Sequence, residues 1–443
     1  MRDLENQGLR AELWVKADWS EEEVKEALKE MVNDEAPGGD GLPKELFERH
    51  WNLLGKDFMG FIRDFEAATS LLEEVQEAVT ILLHKKGPKE QIQNYRPITL
   101  LTSSYKVVAK LLANRMKRAL DRVISKEQCG FLPGRRLSDA VSLVADVIEA
   151  AKNDNKDWYI LMVDFQKAFD SVFRTYLFDT MTLMCFPEKF VRWCKGLHDG
   201  SFTRLLVNCW LGDQVEVGKG VRQGCPLAPY LFLCAVEPIC HEAKRQKLGI
   251  GNAYGERLPY LGYADDMTLI LNEKRQIGQE EKLLEDLGAR SGLRVNKEKS
   301  ELLPQGKNLN RKKDDESAFA WVDPKDAERL LGVWVSPSGS ADVTWDKTLA
   351  RAARELLRWQ SHHLTTTARV AVINCYVCPI LSFQGQVYPP SEAIWKRIMK
   401  LLVKFISENQ ASEEHHFTLW SMELIFKPRK EGGLGDRDPF TEL

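Results

Sequence analysis

Asp265 and Asp266 are adjacent carboxylates in the tetrapeptide Tyr263-Ala264-Asp265-Asp266. Apolar runs flank them, LPYLGY at 258–263 and MTLIL at 267–271. Both have strand length, so the pair is expected at a hairpin tip. On a straight strand neighbouring side chains take opposite faces, whereas a tight turn can aim both at one point. Like charges held together are costly unless a cation lies between them, and hard oxygen ligands suit Mg²⁺ or Mn²⁺. A single tetrapeptide of this kind is more often a solvated acidic turn.

A second carboxylate changes that balance. Trp158 to Val163 (WYILMV) is a continuous apolar run that ends in Asp164 and continues as Phe165-Gln166-Lys167-Ala168-Phe169-Asp170. A doubly buried strand that delivers an Asp at its end places it on a rigid element. The same Asp could instead cap the following helix. Together with a hairpin carrying Asp-Asp about a hundred residues later, it fits two-metal phosphoryl transfer, with ions about 3.5–4 Å apart. One ion would activate an attacking 3′-hydroxyl and the other would stabilise leaving pyrophosphate. Between the two centres lies GKGVRQGCPLAPYLF at 218–232. Its glycines permit close backbone approach to a ligand, and a helix is expected to start near Pro229. Arg222 and Gln223 are expected to project toward phosphates or a base pair; a plain structural turn is the alternative.

VDFQKAFDSV, GVRQGCPLAPYLF and YADD, in that order, resemble motifs A, B and C of reverse transcriptases, in the version of LINE-type (non-LTR) retrotransposons. The resemblance extends further. APGGDGLPKELFERHW at 36–51 is similar to the segment before the fingers. NYRPITLLTSSYKVVAKLLANRM at 94–116 and QCGFLPGRRLSD at 128–139 resemble finger motifs, and FTRLLVN at 202–208 the segment before motif B. SGLRVNKEKSE at 291–301 resembles motif D, RLLGV at 329–333 motif E, and GGLG at 432–435 has its counterpart.

That resemblance implies an α+β right-hand polymerase fold with fingers, a palm built on an antiparallel sheet, and a helical thumb. The implied activity is RNA-directed DNA polymerisation with Mg²⁺ or Mn²⁺ on an RNA template, extending a DNA primer or target with dNTPs. Asp164, Asp265 and Asp266 would be the metal triad, with the Phe165 carbonyl as an added contact. Phe169 would be the aromatic gate under the sugar that excludes a ribose 2′-hydroxyl; a core Phe is the alternative. Gln223 would lie against the incoming nucleotide beside Arg222 and Gly224, Arg96 would meet the triphosphate, and Lys299 would be a proton donor to pyrophosphate. Asp170 is read as structural, a cap for the helix after the strand. Cys209 stands where the family has Gly, and its side chain is expected to crowd that turn. Ala228 replaces a Ser.

These residues need elements to hold them, and 443 residues can bury a large core and exceed one typical domain. The net charge of −3 lacks the basic signature of a nucleic-acid binder taken whole. Its distribution is uneven: Lys85 to Arg136 carries 13 Lys and Arg against 3 Asp and Glu, whereas residues 1–84 carry 9 against 20. Lys106, Lys110, Arg115, Arg118, Arg135 and Arg136 are therefore candidate phosphate contacts along a template. The alternative is a face balanced by the acidic N-terminal part.

Nine cysteines at irregular spacing argue against a disulfide framework and for a reducing compartment, nucleus or cytoplasm. Cys375-x-x-Cys378 has no partner pair at zinc spacing and is expected in a buried helix; His362-His363 and His415-His416 lack a constellation. No signal peptide and no apolar run of membrane length is seen, Ala368 to Phe383 coming nearest, so no membrane partner is expected.

The pattern divides the chain into an N-terminal extension at 1–84, fingers at 85–157, a palm at 158–340 and a helical thumb with C-terminal segment at 341–443. Glu21 to Met31 is expected as a helix capped by Ser20, with Glu23 at capping-box spacing. Tyr176 to His198 is expected as one helix, and Gln305 to Pro324 as an exposed loop. LINE-type proteins carry an endonuclease beside the polymerase, and this chain is expected to lack it. Two other readings remain: an RNA-directed RNA polymerase, which usually has Gly-Asp-Asp and a polar residue in place of Phe169, and an inactive retroelement remnant that at most binds RNA.

Overall fold

The Glu23 amide donates to Ser20 Oγ at 3.2 Å and the Ser20 amide donates to the Glu23 carboxylate at 3.1 Å. This reciprocal cap starts α1 (Glu21–Glu30) where the spacing predicts it. The computed structural model describes residues 18–140, 143, 146–147, 157–251, 257–306, 318–323, 325–338, 340–407, 427 and 430. GGLG at 432–435, His415-His416 and the centre of the expected 305–324 loop lie outside the described residues.

Two compact units emerge. The first takes in Met1–Arg135, Asp164–Gln246 and Gln279–Asn296; the second takes in Arg136–Val163, Lys247–Gly278 and Lys297–Leu443. In chain order the strands are β1 (Ala78–His84), β2 (Tyr95–Leu101), β3 (Asp157–Val163), β4 (Phe202–Val207), β5 (Trp210–Glu216), β6 (Ile250–Gly251) and β7 (Arg257–Leu258). There follow β8 (Tyr260–Tyr263), β9 (Asp266–Leu271), β10 (Glu301–Gly306), β11 (Ala320–Trp321), β12 (Glu328–Leu330) and β13 (Val333–Val335).

In the first unit, α2 (Lys44–Arg49), α3 (Trp51–Ala68) and α4 (Glu73–Gln76) lead into a sheet of order β2-β1-β4-β5. β1 is antiparallel to β2 and parallel to β4. The long α5 (Ser103–Val123) is capped by Thr102, whose hydroxyl accepts from the Tyr105 amide. Tyr105, Val108, Leu112, Met116, Ala119 and Val123 recur at three- and four-residue spacing and are buried, the stripe that a core helix needs. After the short α6 (Ala168–Ser171), the segment expected as one helix is two, α7 (Arg174–Leu183) and α8 (Glu188–Gly196). Cys185 at φ +61° and Pro187 before α8 break it. α9 (Ala228–Arg245) begins with Pro229 in its first turn, as expected. α10 (Arg275–Ser291) follows β9.

The second unit is built on a sheet of order β11-β10-β3-β9-β8. Trp158, Tyr159, Ile160, Leu161 and Val163 are all buried, which explains why β3 reads as continuous rather than alternating. β11 pairs in parallel with β10, so the expected loop yields a strand at 320–321. Beyond the β12–β13 hairpin come α11 (Ala341–Gln360), α12 (Thr366–Val372), a π-helical turn at 373–377, α13 (Cys378–Gly385) and α14 (Glu392–Ser407). Trp345, Val370, Ile373, Leu381, Ile398 and Leu402 form their shared core. The continuous helix Thr366–Gly385, at 20 residues and mean hydropathy 1.3, is long and apolar enough to cross a membrane by length and composition. The apolar pattern alone had not marked such a run; Val370, Ile373, Val377 and Leu381 of this helix are buried in the helical core. Cys378 is buried there but Cys375 is exposed, contrary to the expectation for the pair, and all nine cysteines are free.

Candidate active site

Tyr263 pairs with Asp266 across β8 and β9, which leaves Ala264 and Asp265 as a two-residue turn. Ala264 is buried at φ +58°. The left-handed conformation costs a residue with a Cβ about 1–2 kcal/mol, and strain of this kind gathers at functional sites. Asp265 is half-buried and Asp266 exposed. Along the neighbouring ladder Val163 stands opposite Met267. Asp164 is the residue after Val163, and Asp266 the residue before Met267. In chain order Asp164 follows β3, Asp265 precedes β9 and Asp266 opens it. Within the second unit a groove of about 440 Å³ opens beside the hairpin, lined by Met162, Tyr263, Asp266, Thr268, Arg329 and Gly332 among others.

Among the described residues no three His, Cys, Asp or Glu side chains converge on a point that could hold a metal ion. Mg²⁺ does not require such a cage. It is usually held by one or two carboxylates together with water and substrate phosphates, and Asp265 with Asp266 supplies that hard-oxygen donor set.

In the first unit, the backbone after Asp164 is pinned by an antiparallel bridge of Phe165 to Val295. The Asn296 amide donates to the Asp164 carbonyl at 2.7 Å and the Gln166 amide to the Arg294 carbonyl at 2.8 Å. Neither bond uses the Phe165 carbonyl, while the Phe165 ring is buried. Phe169 is half-buried and stacks on buried Phe232, with ring centroids 4.4 Å apart.

The glycine loop is fastened on both sides. The Gly220 amide donates to the Val172 carbonyl at 2.8 Å and the Val221 amide to the Phe169 carbonyl at 2.9 Å. Gly220 sits at φ +76°, and a Cβ there would lie 2.7 Å from the Asp170 backbone, so the position demands glycine. On the other side the Thr99 amide of β2 donates to the Gln223 carbonyl at 3.0 Å. A Cβ on Gly224 would lie 2.5 Å from the Thr99 carbonyl oxygen. The close approach expected of Gly224 is therefore to β2. The Gln223 side chain turns onto Asp170, its Nε2 donating to the two carboxylate oxygens at 3.1 and 3.0 Å. Burial pushes the Asp170 carboxyl above its usual range, and the Gln223 bond opposes that push.

Several sequence expectations are corrected. Arg222 does not project: it is 4% exposed, donates to the Gln76 and Phe202 carbonyls at 2.8 and 3.2 Å, and lies over the Tyr105 ring. A buried guanidinium held by two backbone carbonyls is a strut for the sheet. Lys106, Lys110 and Arg115 are not a template track either. They pair with Glu35 at 3.0 Å, Glu30 at 2.9 Å and Glu23 at 3.0 Å. The acidic N-terminal segment occupies them, which was the alternative. Arg135 donates to Asp121 at 2.8 Å and to the carbonyls of Ser125, Gln128 and Ile124, so it ties its own loop together. Asp170 is no helix cap, since its carboxylate receives Gln223. Cys209 does not crowd its turn: Asn208 and Cys209 form the exposed tip of the β4–β5 hairpin at φ +50° and +65°, and the departure from Gly is felt as backbone strain. Arg96, Arg118, Arg136 and Lys299 are exposed. Sequence reasoning missed the Asp170–Gln223 pair, whose members lie 53 residues apart with no local pattern to link them.

Residues 83–334 match the family model described as reverse transcriptase (RNA-dependent DNA polymerase). The chain is 34% identical over 286 residues to the transposon TX1 uncharacterized 149 kDa protein of Xenopus laevis, covering 64% of this chain and 22% of that protein. It is 24% identical over 371 residues to the retrovirus-related Pol polyprotein from type-1 retrotransposable element R2 of Nasonia vitripennis, covering 81% and 35%. It is 28% identical over 219 residues to the probable RNA-directed DNA polymerase from transposon BS of Drosophila melanogaster, covering 48% and 24%. The chain thus spans between about a fifth and a third of the length of these relatives. Among solved structures, apo telomerase from Candida tropicalis aligns with a TM-score of 0.45 at 12% identity, over 81% of this chain and 67% of that one.

Proposed function

The chain belongs to the reverse transcriptase family of non-LTR retrotransposons, with the α+β right-hand polymerase fold of that family, and from this premise we propose that it adds deoxynucleotides to a primer 3′-hydroxyl on an RNA template. The observation that carries the proposal is the β3–β9 register, Val163 opposite Met267, which leads one strand into Asp164 and the other out of Asp265-Asp266. In this reading Asp265 and Asp266 would hold Mg²⁺ or Mn²⁺ together with water and substrate phosphates, and Asp164 and the Phe165 carbonyl would be further ligands. When bound, the ions lower the pKa of the attacking hydroxyl and stabilise the charge that develops on pyrophosphate.

The remaining roles fall to the chain's own groups. The Phe169 ring, backed by Phe232, forms the floor under the nucleotide sugar. Gln223 lies at the nucleotide with its amide nitrogen held by Asp170. Exposed Arg96 meets the triphosphate, exposed Lys299 delivers a proton to pyrophosphate, and Arg118 and Arg136 remain for the nucleic-acid backbone.

The test is primer extension on poly(rA)/oligo(dT) with Mg²⁺. Metal-dependent incorporation of dTTP is expected, and Asp265→Asn should keep the fold yet lose several orders of magnitude in rate, because one charge fewer faces the metal. Extension by that variant within tenfold of wild type would remove the triad assignment. Preferential use of ribonucleotides would mark an RNA polymerase, and no extension by wild type an inactive remnant.

A further inference from the structure

The Asp170–Gln223 contact has a consequence for how the site recognises a nucleotide. An ionised carboxylate is acceptor-only. It therefore dictates which end of the Gln223 amide approaches it, and that end is Nε2, bonded to both carboxylate oxygens. The amide oxygen is repelled by the same charge and turns the other way. A free glutamine could rotate its amide by half a turn at little cost and offer either a donor or an acceptor. Here one orientation is imposed. The backbone around it leaves little slack: the Gln223 carbonyl accepts from Thr99, Val221 is bonded to Phe169, and Gly220 packs on Asp170 itself. Asp170 also follows Phe169 directly, so one short segment carries both the ring and the clamp.

We propose that Asp170 is a positioning residue: it fixes Gln223 as a hydrogen-bond acceptor toward the incoming nucleotide, while its own backbone holds the Phe169 ring beneath the sugar. The group recognised is a donor on the nucleotide, the sugar 3′-hydroxyl. This inference rests on the polymerase reading above. It assigns Asp170 a part in nucleotide selection that goes beyond support of the fold.

The experiment is single-nucleotide incorporation with dTTP, 3′-deoxy-dTTP and UTP by wild type, Asp170→Asn, Gln223→Glu and the double variant Asp170→Asn/Gln223→Glu. Asparagine at 170 removes the charge that imposes the amide orientation. Glutamate at 223 presents an acceptor without needing to be oriented, but faces Asp170 as a like charge. In the double variant the asparagine amide at position 170 can donate to the glutamate carboxylate at position 223, and an acceptor still faces the nucleotide. We expect Asp170→Asn to raise KM for dTTP about tenfold with kcat within about threefold, and the double variant to recover most of that loss. Wild type should discriminate against 3′-deoxy-dTTP and Asp170→Asn should not; equal discrimination in both overturns the proposal. A merely structural clamp predicts another pattern: a lower melting temperature for Asp170→Asn, unchanged KM and unchanged discrimination among the three nucleotides. That pattern, or a double variant no better than Asp170→Asn, overturns the proposal. Should wild type extend nothing, the polymerase reading fails first. The clamp is then read from the Gln223 side-chain amide protons by NMR, which should be protected from exchange in wild type and not in Asp170→Asn; equal exchange in both overturns it.

Discussion

A single ring illustrates how much depends on what stands behind a residue. Phe169 is neither fully buried nor free: Phe232 covers one face at 4.4 Å, with the two planes 24° apart. Stacking against a buried partner removes the rotational freedom that would let the ring yield to a bulkier sugar. Phe169→Val is therefore expected to reduce discrimination between dNTP and rNTP by at least tenfold in single-nucleotide incorporation, at a stability cost of about 1–3 kcal/mol for the lost packing. Unchanged discrimination with the same loss of stability would make Phe169 an ordinary core residue. At this scale the sequence was legible where chemistry is local. Asp164 after an apolar run and Asp265-Asp266 between two such runs could be placed from periodicity alone, because strand alternation and turn length are short-range. Arg222 was not legible. An arginine in a glycine-rich loop reads as a phosphate ligand, and only the tertiary fold shows that it is buried with Nη1 and Nη2 turned onto the Gln76 and Phe202 carbonyls. Gln223 and Asp170 failed for the same reason, since each looks complete without the other.

Between elements, the contact of α1 with α5 settles what the charge asymmetry means. The Lys106, Lys110 and Arg115 side chains are only 11%, 16% and 5% exposed. Arg115 also lies 5.0 Å over the Trp19 ring. Buried cations with carboxylate partners are not available to release counterions from a nucleic acid. Arg115→Ala should lower stability by roughly 2–4 kcal/mol through the orphaned Glu23 and the lost packing. The triple variant with Lys106→Ala and Lys110→Ala should leave the slope of log affinity against log salt for poly(rA)/oligo(dT) unchanged. A slope shallower by about 0.9 for each residue removed would restore them to the template. The pH dependence has a definite sign. Burial pushes the Glu23 carboxyl up, but the Arg115 hydrogen bond and the Ser20 amide outweigh it and hold it below 4.5. Its contribution is present above the ordinary carboxylate value and is lost as pH falls through the lower folded value. Elements themselves were largely readable: the capping box of α1, the stripe of α5 and the Pro at the start of α9 are local signals. The break between α7 and α8 was missed although Pro187 marks it in the sequence; the left-handed Cys185 beside it leaves no such mark.

Across the molecule, burial of charge sets how stability responds to pH, and three groups of the first unit dominate. Glu237 is 1% exposed and its carboxyl is pushed up to about 7, chiefly by burial, against hydrogen bonds from Ser125. Glu280 is fully buried, pushed up to about 7 by burial and by the nearby charge of Glu242, and neither of its carboxyl oxygens has a hydrogen-bond partner. His198 is held down to about 3 by burial and the Arg174 charge, with the Cys194 carbonyl opposing. For the two carboxyls the folded state binds protons between 4.5 and about 7 that the unfolded chain has released, so each loses stability as pH rises through that window. For His198 the unfolded chain binds a proton between about 3 and 6.5 that the folded state refuses, so stability is lost as pH falls below 6.5. Two groups act against one, and the thermal midpoint should therefore peak near about pH 5 rather than at neutrality. Glu280→Gln isolates the effect, because an amide replaces the protonated acid without a charge to bury. A carboxyl moved from 4.5 to about 7 costs the folded state on the order of 3 kcal/mol above pH 7. At about 2–4 °C for each kcal/mol, the variant should melt several degrees above wild type at about pH 8, and the difference should vanish near about pH 5. A difference that is the same at both pH values would mean that Glu280 titrates alike in the folded and unfolded chain, and that the stability maximum has another origin.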